Sequence, residues 1–82
     1  MDRYIIFSKP GCPFCVSAVQ LMQERDLEFG EVVFEPEQEN ILAEIKKVHD
    51  WRTVPMIFKR VGNDVKFIGG YTDFLDHLGI DE

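Results

Sequence analysis

The sequence predicts an α/β fold: one four-stranded mixed sheet with helices on both faces. Three observations point to it. Strand-like apolar runs and helix-spaced apolar residues alternate along the whole chain, in the order β-α-β-α-β-β-α. No linker, repeat or low-complexity stretch interrupts that order, and 82 residues make a single domain, residues 1–82. Each helical segment carries its apolar residues on one stripe, which is buried only by covering a sheet.

Arg3 to Phe7 is rich in β-branched and aromatic residues and stops at Lys9-Pro10-Gly11, as a short buried strand does. Pro13, well tolerated at a first helical position, opens a helix that runs to about Arg25. Cys15, Val19 and Met22 recur at helical spacing with Ala18 beside them, while Gln20, Gln23 and Glu24 fall mostly elsewhere. Glu28 to Phe34 is a second strand, favoured by Phe29, Val32, Val33 and Phe34 and ended by Pro36. Glu37 to about Val48 is a helix with Ile41, Leu42, Ile45 and Val48 on its apolar face. Thr53-Val54-Pro55 leads into a strand over Met56 to Lys59, Gly62-Asn63-Asp64 supplies a turn, and Val65 to Ile68 returns as a hairpin. After Gly69-Gly70, the residues Tyr71, Phe74, Leu75 and Leu78 form a last helix. The first half is a βαβ unit, whose crossover is expected to be right-handed with two parallel strands.

Composition excludes several functions. The net charge is −6, from 9 Lys and Arg against 15 Asp and Glu, and no basic stripe offers itself to a nucleic-acid backbone or an anionic membrane. The apolar run Tyr4-Ile5-Ile6-Phe7 is too short for a signal peptide or a membrane span, which sets a cytoplasmic expectation. In a reducing compartment two cysteines are not a structural staple, and their C-x-x-C spacing points to redox or metal chemistry.

Cys12-Pro13-Phe14-Cys15 follows a strand and opens a helix. Free N–H groups and the helix dipole at that end favour an anion, which lowers the Cys12 pKa, and Lys9 adds positive charge nearby. Cys15 lies one turn on and deeper. Cys12 is therefore the attacking thiolate and Cys15 the resolving thiol. Two inert buried thiols fit poorly with the polar loop of glycine and proline, which leaves half of a zinc site as the competing reading. It needs two further ligands, and only His49, His77 and scattered carboxylates are on offer, so redox chemistry is favoured and no metal is expected.

Lys9 with Cys12-Pro13-Phe14-Cys15, then Thr53-Val54-Pro55, then Gly69-Gly70-Tyr71-Thr72-Asp73, resembles the glutaredoxin family in three motifs and in their order. The resemblance implies a thioredoxin-like fold and a dithiol, glutathione-dependent thiol–disulfide oxidoreductase that reduces protein disulfides and glutathione mixed disulfides. Glutathione is then a co-substrate, with no tightly bound cofactor. The implied partners are disulfide-containing proteins, by family analogy including ribonucleotide reductase, and the implied state is a monomer. Pro55 takes the place of the family's cis-proline, with the Val54 backbone pairing the glutathione cysteine and Thr53 framing it; an ordinary extended residue before proline is the alternative. Gly70, Tyr71, Thr72 and Asp73 take the γ-glutamyl end, and simple helix capping by Thr72 is compatible with that role. Lys9 pairs with the glycine carboxylate in the family; taken alone it is a solvated lysine. Tyr71 lies beside the family's site, with core packing against Phe74 and Leu75 as its other reading.

The match to the family is looser in three places. Phe14 stands where tyrosine is usual, so the stacking surface is kept without the hydroxyl. The basic residue completing the glycine-carboxylate site is Lys46, Lys47 or Arg52, each also an ordinary solvated charge. His49-Asp50-Trp51 replaces a loop in which relatives often have glycine. Trp51 covers the glutathione groove or packs on the surface, with packing slightly favoured, and His49 and His77 are expected to be exposed or capping. Two rival functions remain. A redoxin served by thioredoxin reductase tends to lack the second and third motifs. An iron–sulfur carrier typically has one active-site cysteine followed by glycine, where this chain has Pro13 and a second cysteine.

Overall fold

The computed structural model describes residues 2–80. Its elements are β1 (Asp2–Ser8), α1 (Pro13–Glu24), β2 (Phe29–Val33), a 3-10 turn (Pro36–Gln38), α2 (Glu39–Val48), β3 (Met56–Val61), β4 (Asp64–Gly69) and α3 (Tyr71–Leu78). The strands form one sheet in the order β2-β1-β3-β4, with β1 and β2 parallel and the other neighbours antiparallel. The expected architecture is therefore present, and its fold is thioredoxin-like.

Alternation along the central strand β1 divides the interior into two layers. Tyr4 and Ile6 point to one face, where they pack with Ala18 and Met22 of α1, Ile57 of β3 and Phe74 of α3. Ile5 and Phe7 point to the other, against Phe34, Leu42, Met56 and Phe58. Complete burial of a side chain such as Phe74 or Ile6 stabilises the fold by about 1.5–3 kcal/mol each. Tyr4 meets Phe74 edge-on at 5.4 Å, and its hydroxyl hydrogen-bonds Nε2 of the exposed His77 at 3.2 Å.

Two expectations need correction. The segment from Glu37 is not one continuous α-helix, because Pro36 starts a 3-10 turn and regular α-geometry begins at Glu39. The apolar face of α2 is narrower than its sequence suggests: Leu42 is buried and Ile45 half-buried, while Ile41 and Val48 are 56% and 79% exposed. A single short helix over one face of a four-stranded sheet can bury only the side chains pointing straight down. His49 holds the C-cap position of α2, one of the two places expected for it, and its ring is half-buried beside Phe58 and Phe67, at 5.2 and 4.9 Å.

Candidate redox site

The loop Pro10-Gly11 joins β1 to α1, with Gly11 at φ +73° turning the chain. Cys12 is the N-cap of α1 and Pro13 its first residue. The Cys15 backbone N–H donates to Cys12 Sγ at 3.2 Å, so an unpaired donor of the first helical turn is aimed at the sulfur. Cys12 and Cys15 are joined as a disulfide, with Cα atoms 5.3 Å apart. Cys12 is 9% and Cys15 3% exposed, so Cys12 is the more accessible residue of the pair. Phe14, between them, projects into solvent.

Opposite the sulfurs, the Val54–Pro55 peptide bond is cis, and the Val54 carbonyl oxygen lies 3.8 Å from Cys12 Sγ. Behind it, Gly70 caps α3. Its N–H donates to Asp73 Oδ2 at 3.1 Å, and its carbonyl accepts from the Phe74 N–H at 3.0 Å. The capping side chain is thus Asp73. Thr72 is exposed in the first turn and does not cap, because α3 begins at Tyr71, one residue too early for Thr72 to precede it.

These three segments surround one cleft of about 280 Å³. Phe14 comes from α1, Thr53, Val54 and Pro55 from the loop before β3, and Gly70, Tyr71, Thr72 and Asp73 from the start of α3. Tyr71 and Phe14 face each other with ring centroids 6.0 Å apart. Trp51 completes the wall and packs edge-on against Phe67 at 5.2 Å, so it both packs and borders the cleft. Lys9 lies apart from this cleft. It lines a neighbouring one of about 250 Å³ together with Lys46, Glu35 and Glu39. Lys47 and Arg52 are exposed.

The loop before Thr53 turns without a glycine. Asp50 takes φ +51°, and the N–H groups of Asp50 and Trp51 donate to Lys47 and Lys46 carbonyls, closing α2 in a left-handed turn that Asp tolerates. Two further residues near the sulfurs escape sequence reasoning. Ser8, 2% exposed, donates its hydroxyl to Glu31 Oε2 at 2.8 Å, and both line a groove with Cys12 and Cys15. Only the strand register, which pairs Ile6 with Glu31 and Ser8 with Val33, brings them together.

The glutaredoxin family profile matches residues 4–65. The chain belongs to the glutaredoxin family. It is 40% identical over 77 residues to glutaredoxin 1 of Salmonella typhimurium, a match covering 85% of this chain and 83% of that protein. It is 38% identical over 68 residues to the hybrid peroxiredoxin hyPrx5 of Haemophilus influenzae, covering 83% of this chain but only 26% of that longer relative. Among solved structures, glutaredoxin 1 of Francisella tularensis in complex with cacodylate superposes with a TM-score of 0.78 at 27% identity, covering 96% of this chain and 94% of the other. As a glutaredoxin with a paired Cys12 and Cys15, the chain is a thiol–disulfide oxidoreductase. Among the described residues, no three His, Cys, Asp or Glu side chains are grouped to hold a metal ion, and no helix is long and apolar enough to cross a membrane.

Proposed function

We propose that this glutaredoxin is glutathione-dependent and reduces both glutathione mixed disulfides and protein disulfides, as a cytoplasmic monomer working through residues 1–82. The observation that carries the reading is the convergence of Phe14, Thr53–Pro55 and Gly70–Asp73 on one cleft next to Cys12. Its shape and polarity suit a short peptide: an apolar wall, a backbone segment at Val54 and a helix start at Gly70.

Cys12 is the nucleophile. Its thiolate attacks the glutathione sulfur of a mixed disulfide, the target leaves as a thiolate, and glutathione remains bonded to Cys12. A second glutathione thiolate attacks that glutathione sulfur, so Cys12 is released and oxidised glutathione forms. Against a protein disulfide, Cys12 bonds one target sulfur and releases the other. Cys15 then attacks Cys12 Sγ, expels the target as a thiolate, and leaves the Cys12–Cys15 disulfide for glutathione to reduce. In the bound peptide, the Val54 N–H and C=O pair with the cysteine backbone, and Thr53 and Pro55 shape that segment. Phe14 and Tyr71 flank it. The γ-glutamyl carboxylate meets the α3 N-terminus at Gly70 and Thr72, and Asp73 faces the ammonium. Lys9 takes the glycine carboxylate, with Lys46 favoured as its companion because the two share a cleft. Oxidised proteins are the partner class, ribonucleotide reductase among them.

The test is turnover of a small glutathione mixed disulfide, in glutathione coupled to glutathione reductase, by wild type, Cys15→Ser and Cys12→Ser. Wild type and Cys15→Ser are expected to be active, Cys12→Ser inactive, and Cys15→Ser to lose most reduction of protein disulfides. Inactive but folded wild type overturns glutathione dependence; activity surviving in Cys12→Ser overturns the nucleophile.

A further inference from the structure

The cleft just described holds neither sulfur on its lining. A second groove, of about 450 Å³, does: Gly11, Cys12, Cys15 and Val16 form one side, and Glu31 and Val33 of the edge strand β2 the other. The two depressions share no lining residue. A target polypeptide joined to Cys12 must continue away from that sulfur, and the first cleft is sized for a tripeptide. The groove beside β2 is where its chain has room.

The groove is apolar at Val16 and Val33, which are 56% and 41% exposed, and Glu31 is the one carboxylate of its lining. Glu31 is an exposed carboxylate fixed through Oε2 by the hydroxyl of Ser8, the buried polar side chain among the described residues. It has no cationic partner within 4 Å among the described residues, whereas Glu28, on the approach to the same strand, is paired with Arg3 at 2.8 Å. Lys9, in the loop that follows β1, also lines the groove as its one cation, and it makes no ion pair with Glu31. An oriented carboxylate without a cation, on a chain of net charge −6, is complementary to a basic side chain on the incoming partner.

We propose that the groove between α1 and β2 docks the target polypeptide next to its disulfide, and that Glu31 selects targets with Lys or Arg close to the reacting cysteine. This rests on the disulfide-reductase reading above and names the substrate class of that site. Ser8 is a positioning residue for Glu31.

The experiment uses the pre-reduced full chain in a single turnover, without glutathione. Two electrons pass from the Cys12–Cys15 dithiol to a peptide disulfide, the protein disulfide forms, and the two peptide sulfurs leave as thiols with the two protons. Two cyclic peptide disulfides are compared, identical except for Lys or Glu two residues from one cysteine. Wild type should prefer the Lys peptide by about two- to fivefold, the range of an exposed ion pair. Glu31→Gln should bring the ratio to near one, and Glu31→Lys should invert it, while turnover of a small glutathione mixed disulfide stays at the wild-type rate in both. A Lys preference unchanged in Glu31→Lys, or no preference in wild type, overturns the docking assignment. Because no glutathione is present, loss of glutathione dependence in the coupled assay leaves this result intact, so the two readings fail separately.

Discussion

At Gly69 φ is +131°, and a Cβ built there meets Asp73 Oδ2 at 2.6 Å and Asp73 Cβ at 2.8 Å. Gly79 also has a positive φ, +73°, but open space around it. The two glycines separate backbone cost from collision. Gly79→Ala is expected to lose about 1 kcal/mol from the left-handed backbone alone. Gly69→Ala adds displacement of the carboxylate that caps α3, for about 2 kcal/mol or more in total. Urea midpoints at unchanged m-value measure both, and equal losses would show that Asp73 moves aside freely. Gly69→Ala should also raise KM for the glutathione mixed disulfide, because Asp73 lines that cleft. The motifs that border the cleft were legible because each is a contiguous run with its own local geometry: an N-cap cysteine before proline, an X-Pro segment, a glycine pair before a helix. Asp73 as the cap was not, since Thr72 is as good a capping residue by type and only the helix start at Tyr71 decides between them. Ser8 and Glu31 were not legible either, because 23 residues separate them and the register of a parallel pair brings them together.

Helix ends in this chain share one device. At the ends of α1, α2 and α3, the residues Asp26, Asp50 and Gly79 have positive φ, and the N–H groups of Leu27, Trp51 and Ile80 donate to the carbonyls of Met22, Lys46 and Leu75. Gly79 announces such a turn in sequence; Asp26 and Asp50 do not, which is why the loop before Thr53 was hard to read. At α2 the same turn delivers Trp51 to the cleft wall. The element order and type were readable from period alone, but the burial of α2 was not. Periodicity marks a face without saying how much of it the partner surface covers. The structure makes this measurable. Leu42→Ala, at 3% exposure, is expected to cost about 2–5 kcal/mol through a cavity facing Phe34 and Met56. Ile41→Ala and Val48→Ala are expected to stay within about 0.5 kcal/mol. Chemical denaturation of the three variants checks the assignment, and a cost at Val48 near that at Leu42 would restore the wide apolar face.

The whole molecule places its two apolar clusters on opposite faces of one thin sheet, and each draws side chains from both β1 and β3. A chain of 82 residues has little surplus stability, and neither cluster has a second sheet to close against. Loss of either layer exposes the apolar underside of strands that the other layer also needs. Unfolding is therefore expected to be a single cooperative transition. Trp51, the only tryptophan, belongs to the α2 layer, while Tyr4, Phe74 and the long helix α1 belong to the other. Tryptophan fluorescence and far-ultraviolet circular dichroism consequently report different layers. Their urea transitions should coincide in wild type, and Leu42→Ala should move both together although it touches only the α2 side. A fluorescence transition that precedes the dichroism one would instead mean that α2 and the Trp51 loop detach first. In that case the cleft wall would be lost while Cys12 and Cys15 remained in place on α1, and glutathione turnover would fall at urea concentrations where single-turnover reduction of a peptide disulfide persisted.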